Sequence, residues 1–316
     1  MNDKDGRRDL VTALDSVTYG VEDLALGTRF FTDWGLTRLP SGADRALFET
    51  LEGSRIELRA RDAPDLPPAI EPGSTVREVT WSVRCEDDLR ALQHRLQTAV
   101  EATLGADGVL RCRDPGGLGL AFRVSGRRQV HVVGSAVNGY GRTLRVDAPS
   151  PIYQAARPVR LSHVVFNIVD FERIGAFYTD VVGFHLSDSY PGNGMFLRCQ
   201  IEGGHHDLFL SRSRIGKAGL NHVSFMVRDI YEAFGGGINM NRLGWETEIG
   251  PGRHPISSAV FWYIRNPCGA LAEYYADEDY LTAAWKPREF ERTRENFAEW
   301  SIAEGIDPTT RQQRRP

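Results

Sequence analysis

Two histidines and one glutamate stand where they could bind one metal ion together. His163 and His222 each lie near the start of an alternating apolar segment, HVVFNIV and NHVSFMV, and Glu273 lies in a third, ALAEYY. Because the side chains of a strand alternate between its two faces, all three residues can lie opposite the faces that pack against helices. Two imidazoles and a carboxylate in this arrangement form the facial triad that holds non-haem Fe(II) with open positions. We therefore predict a metal site built from these residues.

An internal repeat indicates which elements position the three residues. The echoed pairs of segments are LDSVTYGV with LSHVVFNI, REVTWSVR with NHVSFMVR, and RDPGGLGLAF with RNPCGALAEY. Since all three echoes occur in the same order and at nearly equal spacing, the chain carries two copies of one module of roughly 120 residues.

The first copy lacks the metal-binding side chains. At the three equivalent positions it has Ser16, Glu78 and Ala121. Of these, Glu78 alone is a ligand type, so the first copy forms no triad. The module therefore folds without the histidines, and this argues that they serve chemistry in the second copy. We predict one metal ion per chain, bound there.

Within each copy, the spacing of the apolar residues is typical of strands in some segments and of helices in others. In the second copy, FERIGAFYTDVV has helical spacing and ends at Gly183, and the segments around it are typical of strands separated by Gly and Pro turns. We predict an α+β fold of two tandem copies, each a pair of βαβββ units with helices on one face of the sheet. The predicted parts are a first domain at 1–135, a linker at 136–158, a catalytic domain at 159–276 and a C-terminal tail at 277–316.

The tail carries aromatic residues among many charges. Phe290, Phe297 and Trp300 are spaced so that one helical face would be apolar. We predict a helix that docks over the mouth of the site or against a neighbouring subunit.

The composition excludes several classes of function. The chain has 316 residues, and its 38 Lys and Arg against 42 Asp and Glu leave no electrostatic footprint for nucleic acid. Its apolar runs are too short for a membrane span, and no apolar segment follows the charged first residues as in a secretory signal. Its four cysteines lie too far apart for a thiolate zinc site. We expect a cytoplasmic protein that binds neither nucleic acid nor membrane and, because sheet edges are commonly paired, a homo-oligomer.

The segment GRHPISSAVFWYIRNPCGALAE, at Gly252–Glu273, resembles the signature of the type I extradiol ring-cleaving dioxygenases of the vicinal oxygen chelate superfamily. In that signature Gly-x-His is followed by an aliphatic residue and Tyr, then by Pro and Gly, and closes with the ligand Glu. One departure is Trp262, where the family usually has an aliphatic residue. The resemblance covers about residues 10–280, and it implies sheets curved around funnels with the helices outside.

The resemblance also implies roles for further residues. RCQIEGGHHDLFL is similar to a family segment with paired histidines, in which the second, here His206, is the acid–base residue. His205 would then lie on the opposite face or at the rim. His254 and Tyr263 would stabilise the substrate oxygens.

The function implied is extradiol cleavage of a catecholic aromatic by O2, in aromatic compound catabolism, with Fe(II) as cofactor, although the ligand set suits Mn(II) as well. One alternative is a glyoxalase-like isomerase or lyase, which usually needs a fourth protein ligand, with Glu78 as the nearest candidate. Another is a metal-free binding protein of the same superfamily. Five residues are candidates for the substrate pocket: Asn167, Val165, Met195, Phe196 and Ser224.

Overall fold

The computed structural model describes residues 8–314, and the first half of this range contains short strands and helices in alternation. In chain order these are β1 (Val11–Val21), α1 (Leu24–Asp33), β2 (Thr37–Leu39), β3 (Arg45–Glu49), β4 (Arg55–Ala60), β5 (Thr75–Val83), α2 (Glu86–Leu96), β6 (Ala102–Leu104), β7 (Leu110–Arg113) and β8 (Gly119–Val124). Each helix follows the long strand of its unit, as the predicted βαβββ pattern requires.

The second half repeats this order and adds further short elements. They are β9 (Arg160–Ile168), α3 (Phe171–Ala176) continued as a π-helix (Phe177–Val182), β10 (His185–Tyr190), β11 (Gly194–Arg198), β12 (Gly203–Gly204), β13 (Leu208–Arg212), β14 (Gly219–Met226), α4 (Ile230–Arg242), β15 (Thr247–Arg253), β16 (Val260–Arg265), β17 (Leu271–Ala276), β18 (Tyr280–Leu281), β19 (Arg288–Glu289), α5 (Arg294–Phe297) and β20 (Trp300–Ala303). The last four lie in the tail.

The two large sheets share one strand order. The first is β2-β3-β4-β1-β5-β8-β7-β6, and the body of the second is β10-β11-β13-β9-β14-β17-β16-β15. In both, the two long strands pair antiparallel at the centre, and each has a parallel neighbour on its outer side. The α+β class with two tandem copies of paired βαβββ units is therefore confirmed. Of the helices within residues 8–314, none is long and apolar enough to cross a membrane.

Asp23 and Asp170 each lie two residues after a segment of the first echoed pair, and each caps the helix that follows. The Asp23 side chain accepts a hydrogen bond from the backbone N of Leu26 at 2.8 Å, and that of Asp170 accepts one from Arg173 at 3.4 Å. A carboxylate at this position satisfies a backbone N–H that has no partner within the helix. Each helix thus begins directly after the strand that precedes it.

An aromatic contact joins the two halves next to the predicted metal site. Trp34, at the end of α1, stacks on Tyr274 of β17 with 3.7 Å between ring centroids and 7° between ring planes. The Tyr274 hydroxyl donates to the backbone carbonyl of Trp34 at 2.9 Å. Because Tyr274 directly follows Glu273, this contact holds the strand that carries the predicted metal-binding glutamate.

The tail differs from the predicted docking helix, because most of its regular structure is extended. Over residues 277–314 it forms the single turn α5 and the strands β18, β19 and β20. β19 pairs with β10 at one edge of the second sheet, and β20 pairs with β15 at the other edge. The aromatic residues of the tail are therefore placed by contacts with the sheet and not by helical periodicity.

We expect Trp34→Ala to lower the free energy of unfolding by about 3–5 kcal/mol, because it removes a buried aromatic ring and leaves a cavity. Chemical denaturation followed by tryptophan fluorescence and circular dichroism measures this loss. The matched control is Trp300→Ala, since Trp300 is 42% exposed and its loss should cost no more than roughly 0.5 kcal/mol. Equal losses in the two variants would contradict a central role for the aromatic contact.

Candidate metal centre

Three neighbouring strands of the second sheet bring two histidines and one glutamate to one point. His163 on β9 and His222 on β14 face each other, with 3.1 Å between their Nε2 atoms. The Oε2 of Glu273, on β17, lies 3.1 Å from the Nε2 of His163 and 3.5 Å from that of His222. All three side chains are buried. The structure thus brings together the residues that strand alternation selects.

The surroundings of these atoms fit a metal ion. The Nδ1 of His222 donates to the Oδ1 of Asn221 at 2.8 Å, which leaves its Nε2 with a free lone pair. Burial lowers the pKa of His222 to about 3. The Glu273 carboxylate is fully buried, and neither of its oxygens has a hydrogen-bond partner within residues 8–314. Ligand atoms about 2.1 Å from a metal and at right angles lie roughly 3 Å apart, close to the spacings found here.

The first module has the same strand register without the same site. In that register Glu78 on β5 takes the position of His222. Ala121 on β8 takes the position of Glu273. The Glu78 carboxylate lies 3.7 Å from the guanidinium of Arg111, and burial raises its pKa. The first copy has therefore lost the central acid and pairs its remaining carboxylate with a cation.

A chain of buried polar groups starts at His163, one of the predicted metal ligands. The ring of His206 lies against that of His163, with 4.1 Å between centroids, and its Nδ1 is 3.2 Å from the Nδ1 of His205. The Nε2 of His205 is 2.9 Å from the Oδ2 of Asp188, and both of these side chains are fully buried. Since the carboxylate accepts the proton on Nε2 of His205, the Nδ1 of His205 accepts the proton on Nδ1 of His206. His206 then presents an unprotonated Nε2.

The tail anchors this chain of polar groups through Arg288. Its Nη2 lies 2.7 Å from the Oδ2 of Asp188, and its backbone N donates to the Oδ1 at 2.7 Å. Burial would raise the pKa of Asp188, but hydrogen bonds from His205 and Arg288 keep it below its ordinary value. Burial and the neighbouring histidines lower the pKa of His206 well below its ordinary value. The carboxylate is therefore charged and His206 is neutral.

His254 and Tyr263 form a hydrogen-bonded pair beside the glutamate. The Nδ1 of His254, just after β15, donates to the backbone carbonyl of Phe297 in the tail at 2.7 Å. The Tyr263 hydroxyl then donates to the Nε2 of His254 at 3.1 Å, and this Nε2 lies 3.7 Å from the Oε1 of Glu273. The tail thereby fixes a histidine that lies outside a strand.

A cavity of about 710 Å³ opens beside these groups. His163, His222, His206, His254 and Tyr263 line it. Val165 and Phe196, two of the five candidates for the substrate pocket, line it as well. The structure therefore places all three residues with a predicted catalytic role next to the cluster of ligand-type side chains.

Met195 is wrongly predicted as a pocket residue. Its Sδ lies 2.8 Å from the point that a Cβ on Gly175 of α3 would occupy, so the side chain packs against the helix. Neighbouring residues of a strand face opposite ways, so Met195 and Phe196 cannot both reach the cavity. Phe196 takes the cavity face.

Two further candidates lie on the cavity side of the sheet but outside the cavity. Ser224 is buried and stands opposite Glu273 in the register of β14 and β17. Asn167 lines a neighbouring depression. Both residues share a strand face with a histidine, but a shared face does not fix how far along the strand the cavity extends.

Other residues that line the cavity carry weak signals in the sequence or none. Phe209 could have been found by alternation, because it stands opposite Val165 in the register of β13 and β9. Arg292 and Phe297 reach the cavity from the tail, whose path depends on pairing with distant strands.

Comparisons with known proteins agree with this geometry. Residues 160–274 match the family described as the Glyoxalase/Bleomycin resistance protein/Dioxygenase superfamily. The chain is 29% identical over 300 residues to "Metapyrocatechase 2" of Cupriavidus necator, a match that covers 90% of this chain and 87% of the relative. It is 25% identical over 248 residues to the "2,2',3-trihydroxybiphenyl dioxygenase" of Sphingomonas paucimobilis, which covers 72% of this chain and 78% of the relative.

Among solved structures, the Mn(II)-bound glyoxalase from Novosphingobium aromaticivorans has the same fold. The two chains superpose with a TM-score of 0.74 at 21% identity, over 97% of this chain and 95% of the other. Since this identity is low, the likeness concerns the fold alone. The family match therefore covers most of the second copy, at residues 160–274, and the similarity to the two named dioxygenases extends over 90% and 72% of the chain.

Proposed function

We propose that the chain opens the aromatic ring of a catechol beside one of its hydroxyls, with O2 as the oxidant and Fe(II) held by His163, His222 and Glu273. The observation that carries this proposal is the convergence of three ligand atoms, with an unpaired buried carboxylate among them, in the wall of a cavity. The two dioxygenase relatives support the same reaction class. A facial set of two histidines and one carboxylate suits non-haem Fe(II), which is why we choose it over Mn(II).

When bound, the metal supplies a Lewis acid that acidifies the catechol hydroxyls and a site for O2. His206 then handles the proton of the second hydroxyl, because its Nε2 is unprotonated and its side chain lines the cavity. The Asp188–His205 pair holds this tautomer and stabilises the imidazolium that forms when Nε2 takes up the proton. His206 returns the proton when the ring opens.

His254 and Tyr263 orient the substrate in this proposal. Their hydrogen bond places a phenol and an imidazole at one side of the glutamate, where each can bind a substrate oxygen. Phe297 covers this pair from the tail, with 5.3 Å between its ring centroid and that of His254.

The glyoxalase-like alternative requires a fourth protein ligand. Within residues 8–314, the cluster of ligand-type side chains contains His163, His222 and Glu273. Glu78, the nearest candidate by sequence, lies on β5 of the other module beside Arg111. The geometry therefore supports the dioxygenase over the isomerase.

We expect one Fe(II) or Mn(II) per chain, and we expect His222→Ala and Glu273→Gln to abolish its binding. Metal analysis after anaerobic reconstitution measures the occupancy, and circular dichroism checks that the variants fold. The matched control is Glu78→Gln, which changes the equivalent position of the first module and should leave the metal content unaltered. Full occupancy in Glu273→Gln would remove this residue from the ligand set.

We expect His206→Gln to keep the metal but lower kcat by roughly 10²–10⁴, because the reaction loses its acid–base group. The measurement is the yellow ring-opened product formed from a catechol by the iron-loaded protein. His94→Gln, at an exposed position of α2, controls for the loss of a histidine and should have no effect. Unchanged kcat in His206→Gln would assign the proton transfer to another group.

We expect His205→Leu to lower kcat with little change in KM or metal content, because His206 loses the acceptor that fixes its tautomer. His205→Gln should restore most of the activity, since an amide can donate to Asp188 and accept from His206 at the same time. The kcat and KM of both variants are compared with the wild type. A loss of stability without a selective loss of kcat would mean that His205 has only a structural role.

A further inference from the structure

The cavity continues well beyond the groups that would hold the two hydroxyls of a catechol. Its volume of about 710 Å³ lies in the range of pockets for drug-sized ligands, far above the needs of one benzene ring. Its middle part is apolar and aromatic, with Phe196 and Phe209 stacked at 4.1 Å between centroids and Tyr190 against both. These walls fit a second flat, apolar group attached to the catechol.

Three arginines line the cavity: Arg214 and Arg292 lie on the side of Ser211, away from the predicted metal ligands, and Arg294 lies on α5. Arg292 is held in place, because its Nη2 donates to the Ser211 Oγ at 2.9 Å and its Nη1 donates to the backbone carbonyl of Arg212 at 3.2 Å. Neither Arg214 nor Arg292 forms an ion pair with a carboxylate of residues 8–314. Two neighbouring guanidinium groups without an acid between them form a site for an anion.

Nearby acids do not neutralise these arginines. Glu248 lines the cavity, but its carboxylate lies 2.6 Å from the guanidinium of Arg265. Glu71 lies in the neighbouring depression, where it accepts hydrogen bonds from Thr75 and from the backbone N of Leu220. Arg214 and Arg292 border that depression as well, but neither forms an ion pair with the Glu71 carboxylate, so both guanidinium groups can still bind a ligand in the cavity.

The strand register gives the distance between the two ends. His163, Val165 and Asn167 follow one another on the cavity side of β9. Ser211, which holds Arg292, stands opposite Asn167. Asn167 lies four positions further along the strand than His163, which corresponds to a length of about 13 Å. A ligand that touches both ends must be longer than a catechol ring.

We propose that the natural substrate is a catechol with an aryl-sized apolar substituent that ends in a carboxylate, and that Arg292 and Arg214 bind this carboxylate. This inference rests on the proposed ring-cleaving function and adds the substrate class to it. The aromatic walls select the substituent, and the two arginines select its charge.

The test compares 2′,3′-dihydroxybiphenyl-4-carboxylate with its carboxamide, which has nearly the same shape but no charge. We expect the iron-loaded wild type to favour the carboxylate by about tenfold or more in kcat/KM, the effect of a charge-assisted hydrogen bond pair. In Arg292→Gln and in the double variant with Arg214→Gln the preference should fall towards one, through a higher KM for the carboxylate alone. The preference should also weaken as the salt concentration rises.

Arg90→Gln is the matched control, since it removes the same charge from the exposed helix α2 of the first module and should leave the preference unchanged. Ring opening of both compounds without a preference, or a preference that survives the double variant, would overturn the inference while leaving the proposed function intact.

If catechol is opened but neither biphenyl compound is, the inference fails and the proposed function stands. If catechol is not opened either, the proposed function fails, and the binding of the biphenyl acids then tests the role of the arginines. Calorimetry with biphenyl-4-carboxylate and biphenyl-4-carboxamide on the full chain should then still give tenfold tighter binding of the carboxylate. This difference should be lost in the double variant. Equal affinities for the two compounds would overturn the inference.

Discussion

The burial of one charged carboxylate is the constraint on which the functional half of this protein depends. Glu273 lies on a central strand, fully buried, and no donor within residues 8–314 satisfies its oxygens. An isolated buried carboxylate is so unfavourable that it either takes up a proton or binds a cation. The Nε2 atoms of His163 and His222, on the neighbouring strands, lie 3.1 and 3.5 Å from the Oε2 of Glu273, close enough for the three groups to share one cation. In the first module Ala121 takes the position of the acid, so this constraint does not arise there.

Much of the site could be predicted because central strands of these sheets have one apolar face and one functional face. Alternation along β9, β14 and β17 is enough to select His163, His222 and Glu273, and the internal repeat shows that the fold does not need them. The same alternation places only one of two adjacent residues on the cavity side, so Met195 and Phe196 cannot both line the cavity. The roles of His206, His254 and Tyr263 followed from a family resemblance, since nothing in their spacing alone distinguishes them from packing residues.

The tail could not be predicted in the same way. Its aromatic residues have helical spacing, yet their neighbours are decided by contacts far away in the chain. Trp285 donates from Nε1 to the carbonyl of Ser187, and Arg288 pairs with Asp188, about one hundred residues earlier. A short segment that gains its hydrogen bonds from a sheet edge adopts the extended form that the edge requires, whatever its own periodicity. The chain of buried polar groups behind His206 cannot be predicted from the sequence for the same reason, because Asp188 and Arg288 come from separate strands.

The tail follows the strands that carry the three proposed ligands, and this order has a consequence for assembly during synthesis. Protein chains leave the ribosome N-terminus first, and domains fold as units in that order. The strands that carry the three ligand residues are all complete at Ala276. Two residues of the tail emerge later. Arg288 anchors the chain of buried polar groups, and Phe297 packs on His254 and accepts its hydrogen bond. We therefore expect the cavity to be open to a metal ion until the tail residues are made and pair with the edges of the sheet.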